Sequence, residues 1–133
     1  MKVLIIDDEQ LILDMYSERI KEAGYEVLTA LDGQKGAEIA QNEHPDVILL
    51  DIIMPKYNGL DVLRDLKADD KTKDIPVYLL TNLPQEASGE KAKQLGASGY
   101  LVKAENEPEM VVQLLKGLNK TSPPPPAGGP PVQ

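Results

Sequence analysis

Val47-Ile48-Leu49-Leu50-Asp51-Ile52-Ile53-Met54-Pro55-Lys56-Tyr57-Asn58-Gly59 is the stretch that decides the fold. Four apolar residues stop at a carboxylate, and a segment punctuated by Pro55 and Gly59 follows. Three other runs end in the same manner. Val3-Leu4-Ile5-Ile6 stops at Asp7-Asp8-Glu9, Val77-Tyr78-Leu79-Leu80 at Thr81, and Gly99-Tyr100-Leu101-Val102 at Lys103. Short unbroken apolar runs read as strands buried on both faces. In an open parallel sheet the carboxyl ends of the strands share one edge, and ligands bind along it. That edge would gather Asp7, Asp8, Asp51, Thr81 and Lys103.

Between the runs lie segments with helical spacing, so the chain alternates strand and helix as βαβ units do. Strands are expected near 2–6, 25–29, 46–50, 76–80 and 98–102, and helices near 10–23, 34–43, 59–69, 85–95 and 107–119, each boundary good to roughly two to four residues. The first helix places Ile12, Met15, Tyr16, Ile20 and Ala23 on one face. The last places Met110, Val111, Leu114, Leu115 and Leu118 together behind Pro108, a residue suited to a first turn. Gly24 and Gly96 stand where left-handed helix ends are expected. Tyr25-Glu26-Val27-Leu28-Thr29 alternates more than the other strands, which places it at a sheet edge. Right-handed crossovers then permit a doubly wound, five-stranded parallel sheet in the order 2-1-3-4-5 with five helices, an α/β fold. The fourth helix starts poorly, at Ala87-Ser88-Gly89-Glu90, because an interior Gly costs about 1 kcal/mol relative to Ala.

A chain of 133 residues is the size of one domain, expected over residues 1–120. Residues 121–133 hold six of the 11 prolines and no apolar periodicity, so a disordered Pro/Gly-rich tail with polyproline-II tendency is expected there. Phe, Trp and Cys are absent, which leaves an aliphatic core and removes disulfides and thiolate metal sites. The net charge of −8, with 22 acidic against 14 basic residues, argues against nucleic-acid or anionic membrane contact. Val3 to Ile6 is too short for a signal core or a membrane span, so a soluble cytoplasmic protein is the default expectation.

Aspartates gathered at one edge repel one another unless a cation lies among them. Oxygen donors alone select a hard ion such as Mg²⁺, with Mn²⁺ a substitute. His44, the sole histidine, precedes Pro45 at an expected exposed helix end, away from this edge, which disfavours zinc. With a cation present, one carboxylate can attack phosphorus and form an acyl phosphate. Catalysis of phosphoryl transfer is mostly positioning and charge neutralisation, for which Lys103 offers a point charge and Thr81 a hydroxyl.

Asp7-Asp8, Asp51 with Met54-Pro55 and Gly59, Thr81 and Lys103 together resemble the receiver domain of two-component response regulators, over about Met1 to Lys120. The resemblance implies a flavodoxin-like receiver fold with Asp51 as phosphoacceptor. Asp8, Asp51 and the backbone carbonyl of Ile53 would bind Mg²⁺, with Asp7 acting largely through water. Thr81 and Lys103 would hold phosphoryl oxygens. Thr81 and Tyr100 would form the switch, Tyr100 turning inward when Thr81 moves. A histidine kinase or histidine phosphotransfer protein would be the donor. The surface of helix four, strand five and helix five would bind a downstream protein or pair two copies. Such a receiver catalyses only its own phosphorylation and dephosphorylation.

Two positions depart from the family pattern. Ala104 stands where a Pro usually follows the lysine, so a trans bond and an altered loop are expected. Asn82 stands where a small residue usually follows the threonine, and it either narrows the approach or adds a hydrogen bond. Ile53 and Leu83 are expected to flank the path of a hydrolytic water and to exclude it. Residues 121–133 are too few and too proline-rich to be expected to form an output domain, so the chain reads as a stand-alone receiver or as a piece of a larger regulator. Other readings fit less well. A haloacid-dehalogenase-type phosphatase needs Asp-x-Asp after the first strand, where this chain has Asp7-Asp8-Glu9. A flavin carrier needs a hydroxyl- and glycine-rich phosphate loop. A receiver-like adaptor acting without phosphorylation remains open because of Ala104 and Asn82.

Overall fold

The structure is a computed structural model that describes residues 1–121. Its strands are β1 (Lys2–Ile6), β2 (Glu26–Ala30), β3 (Val47–Leu50), β4 (Val77–Thr81) and β5 (Gly99–Val102). They alternate with α1 (Gln10–Glu22), α2 (Gly33–Glu43), α3 (Gly59–Ala68), α4 (Gln85–Gln94) and α5 (Pro108–Thr121). The sheet runs β2-β1-β3-β4-β5, every pair parallel, as the sequence led one to expect. Expected and observed boundaries differ by one or two residues. The tail expected from residue 121 lies outside the described residues, apart from Thr121, which closes α5.

Side chains alternate across the sheet and so build two apolar layers. Val3, Ile5, Val47 and Leu49 face α1 and α5, where Leu13, Tyr16, Ile20, Val111, Val112 and Leu115 meet them. Leu4, Ile6, Ile48, Leu50, Val77 and Leu79 face the other side, against Ala40 of α2, Val62, Leu63 and Leu66 of α3 and Ala92 of α4. Each fully buried Leu or Ile stabilises the fold by about 1.5–3 kcal/mol. β3 is buried along its whole length, which fixes the position of Asp51 just beyond it.

Two expected core residues are exposed instead. Met15 is 45% and Met110 52% exposed. The stripe of α1 that meets the sheet is Leu13, Tyr16 and Ile20, and Met15 lies off it. In α5 the inner positions are Val111, Val112 and Leu115, and Met110 lies at the margin.

The helix ends follow local chemistry. The Asp32 carboxylate accepts the Lys35 N–H at 2.7 Å and caps α2, and Asn58 Oδ1 accepts the Leu60 N–H at 2.7 Å and caps α3. Gly24 and Gly96 take φ of 100° and 101° just past α1 and α4, as their residue type permits. His44 is exposed and ends α2 in the left-handed region. α4 forms, but Ala92 is its one fully buried residue and its first turn lacks a side-chain cap. Such an element has a low local unfolding free energy.

Candidate functional site

Strand register assembles the site. Ile6 pairs with Leu50, so Asp7 and Asp51 leave adjacent strands side by side. Thr81 pairs with Val102, which sets Thr81 beside the start of Lys103. The Asp51 N–H donates to the Ile6 carbonyl at 3.0 Å and the Asp7 N–H to the Ala30 carbonyl at 3.1 Å, so the backbones of both aspartates remain tied to the sheet. The chain after Asp51 doubles back against it. The Gly59 N–H donates to the Ile52 carbonyl at 2.8 Å. A methyl group at residue 59 would lie 2.0 Å from the Asp51 carbonyl oxygen. Only glycine fits that approach.

Lys103 crosses the edge from the far side. Its Nζ lies 2.6 Å from Asp7 Oδ2, 3.2 Å from Asp51 Oδ2 and 3.8 Å from Glu9 Oε1. Asp7 Oδ1 also accepts the Glu9 N–H at 2.9 Å, and Asp51 Oδ1 accepts the Ile53 N–H at 3.3 Å. Burial pushes the Asp7 carboxyl above the usual carboxylate range; the Lys103 hydrogen bond, the Glu9 N–H and the Lys103 charge oppose this only in part, and the Asp51 charge adds to the rise. Burial works to lower the Lys103 ammonium, but the hydrogen bond to Asp7 and the charges of Asp51 and Asp7 outweigh it, so Lys103 rests above its ordinary value.

One oxygen each from Asp7, Asp8 and Asp51 falls within 4.8 Å of the others, the one such acidic group among the described residues. A single ammonium faces three carboxylates, which leaves excess negative charge. The donors are hard oxygens in a part-solvated setting, and Lys103 already bridges two of them as a cation. This donor set fits Mg²⁺.

The cluster opens into a cleft of about 230 Å³ lined by Asp8, Glu9, Asp51, Ile53, Thr81, Asn82 and Lys103. A larger groove of about 590 Å³ lies between α2 and the β3–α3 connection, near Gln41, Lys56 and Tyr57, away from the three-aspartate cluster. Thr81 is fully buried, and its Oγ1 accepts the Leu83 N–H at 3.4 Å. Asn82 stands exposed at the cleft mouth. Ile53 lines the cleft and is 56% exposed. Leu83 does not line it, and packs instead on the α2–α4 layer. Tyr100 likewise sits outside the cleft. Its hydroxyl donates to the Leu83 carbonyl at 3.0 Å and lies 3.3 Å from that of Pro84, directly beyond Thr81. The chain after β5 forms a 3-10 turn, Lys103–Glu105.

Glu9 joins the site without a role expected from the sequence, although its place beside Asp7-Asp8 is a usable signal. The helical spacing of α1 places Tyr16 in the core and nothing more. The Tyr16 hydroxyl donates to the Asn106 carbonyl at 2.7 Å across 90 positions of sequence, for which no local pattern exists.

Comparison with known proteins agrees with this geometry. Residues 3–115 match the family described as the response regulator receiver domain. The DNA-binding dual master transcriptional regulator RpaA of Synechocystis is 39% identical over 120 residues, which are 90% of this chain and 50% of RpaA. Protein PilH of Pseudomonas aeruginosa is 36% identical over 118 residues, covering 89% of this chain and 94% of PilH. The chemotaxis protein CheY4 of Vibrio cholerae superposes with a TM-score of 0.81 at 34% identity, over 87% of this chain and 96% of that one. The chain spans about half the length of RpaA and of several other transcriptional regulators it matches.

Proposed function

The chain belongs to the response regulator receiver domains of two-component signalling, and from that premise we propose that it accepts a phosphoryl group on Asp51 and passes on the change through the α4–β5–α5 surface. The observation that carries this reading is Lys103 Nζ bridging Asp7 and Asp51 at the rim of an acidic cleft.

A carboxylate oxygen of Asp51 attacks the phosphorus of a donor phosphohistidine. The P–O bond forms as the P–N bond breaks, and the imidazole departs with the bonding pair and takes up a proton. Asp7, Asp8, Asp51 and the Ile53 carbonyl would hold Mg²⁺, which when bound neutralises the carboxylates and the transferred oxygens. Lys103 exchanges its Asp51 contact for a phosphoryl oxygen, and the Thr81 hydroxyl takes another. Thr81 already lines the cleft, and a shift of its hydroxyl towards the phosphoryl oxygen would disturb the Leu83 N–H that it now accepts. Tyr100 is bonded to the carbonyl of the same Leu83, so the shift at Thr81 reaches it within two residues of chain. α4, with little buried surface, is the element whose balance the new charge biases.

A histidine kinase or phosphotransfer protein is the donor class, and a protein partner or a second copy is the class that reads the surface. Among the described residues no helix is long and apolar enough to cross a membrane. The test is incubation with Mg²⁺ and acetyl phosphate, read by intact mass. The wild type should gain one phosphoryl group and Asp51→Asn none. Equal behaviour of the two proteins would favour an adaptor that works without phosphorylation.

A further inference from the structure

We infer that Tyr16 and Asn106 are positioning residues for Lys103. This rests on the preceding assignment of Lys103 to the phosphoryl site. It assigns the support of that lysine to a contact between α1 and the β5–α5 loop.

Lys103 leaves the sheet at Val102 and enters a single 3-10 turn that ends at Glu105. Its ammonium is nonetheless held against two carboxylates just past the ends of β1 and β3, so a flexible four-carbon stem must start from a fixed base. Asn106 supplies that base on both sides of Lys103. Its side-chain Nδ2 donates to the Val102 carbonyl at 3.0 Å, and its backbone N–H donates to the Lys103 carbonyl at 3.2 Å. Asn106 is in turn anchored by the Tyr16 hydroxyl, which donates to its carbonyl at 2.7 Å. Tyr16 is 2% exposed and belongs to the buried cluster that holds Leu13 and Ile20 of α1 and Val111 and Leu115 of α5. The phenol therefore has little freedom.

Residue 104 is alanine, which imposes no backbone constraint on the turn. The loop's fixed geometry thus depends on the hydrogen-bonded path from Tyr16 to Asn106 to the peptides flanking Lys103. α1 begins three residues after Asp7, so the helix that carries Tyr16 follows directly on one of the two carboxylates that Lys103 bridges. A merely structural hydrogen bond would stabilise the fold without regard to Lys103. A positioning bond acts on the chemistry only through Lys103, and this difference is measurable.

The experiment uses the full chain as wild type, Tyr16→Phe, Asn106→Ala, Lys103→Ala and the double variant Tyr16→Phe/Lys103→Ala. Acetyl phosphate concentration is varied at saturating Mg²⁺. Tyr16→Phe and Asn106→Ala should each lower the maximal phosphorylation rate about tenfold with little change in the half-saturating donor concentration, because a small misplacement of a catalytic group is costly. In the Lys103→Ala background Tyr16→Phe should have no further effect on rate, while still lowering the thermal midpoint as it does alone. An equal rate loss in both backgrounds, or wild-type rates in both loop variants, overturns the proposal. Nitrogen-detected NMR of the Lys103 ammonium reads the same point without phosphorylation. A slowly exchanging signal in the wild type that broadens in Tyr16→Phe and in Asn106→Ala supports it, and an unchanged signal in both overturns it. If the wild type takes no phosphoryl group, the reading of the site fails, and the ammonium signal still decides whether the two residues hold Lys103.

Discussion

Lys103→Met keeps the length and apolar stem of the side chain and removes the ammonium. Asp7, 2% exposed on its side chain, and Asp51, 7% exposed, then face each other with no cation between them. Breaking a buried ion pair by removing one partner costs about 3–5 kcal/mol. The cleft of about 230 Å³ lets water reach Asp51 and Asp8, so the lower part of that range or below applies, about 2–3 kcal/mol at neutral pH. The loss depends on pH in a definite direction. The Asp7 carboxyl is already raised, first by burial, and the variant loses the hydrogen bond and charge of Lys103 that oppose this. A carboxyl whose folded pKa is raised binds its proton more tightly in the folded state, so stability falls as pH rises from the ordinary carboxylate range through the folded value. The deficit of Lys103→Met relative to wild type should therefore be small in acid, where Asp7 is protonated in both proteins, and grow to its full size above the raised Asp7 range. Urea unfolding followed by far-UV circular dichroism across this range measures it. Added Mg²⁺ should narrow the neutral-pH deficit, because the ion supplies the missing positive charge. A deficit that is flat with pH, or a variant as stable as wild type at neutral pH, would refute the electrostatic account of this cluster.

Three further outcomes are expected. Gly59→Ala places a methyl 2.0 Å from the Asp51 carbonyl, so either α3 or the site loop must move; unfolding should show a loss of about 3 kcal/mol or more, and phosphorylation should slow about a hundredfold. Lys56→Gly relieves a φ of 70° in the β3–α3 connection and should stabilise the fold by about 0.5 kcal/mol, seen as a higher urea midpoint at unchanged slope. Tyr100→Phe removes the donor to the Leu83 and Pro84 carbonyls; it should cost about 1 kcal/mol and speed amide exchange in the β4–α4 segment and α4 but not in β1 or β3, and uniform acceleration would contradict a local role.

The sheet order and the place of the site were readable because β1 and β3 are buried on both faces. Such strands must be continuous in apolar residues, and the first polar residue after each marks the edge. Asp7 and Asp51 could thus be placed side by side without coordinates, and the receiver family could be identified from the residues at that edge. Helix faces were less legible. Periodicity identifies an apolar stripe on α1, but the packing of α1 on the sheet and α5 decides which margin is covered, and Met15 fell on the open side. Leu83 is expected beside the cleft, yet the turn after Thr81 packs it on the α2–α4 layer, a direction that the residue type does not encode. The left-handed Lys56 gave no signal because that conformation usually selects Gly, Asn or Asp. The Tyr16–Asn106 contact joins segments that only the folded sheet brings together.

Asp51 is proposed as the carboxylate that takes the phosphoryl group, and its chemistry can be read directly. Treatment of the phosphorylated protein with borohydride reduces an acyl phosphate to the alcohol, and peptide mass mapping then reads the altered residue directly. Reduction is expected at residue 51, dependent on Mg²⁺ and on the donor. Labelling at Asp7, Asp8 or a hydroxyl side chain in place of Asp51 would contradict it.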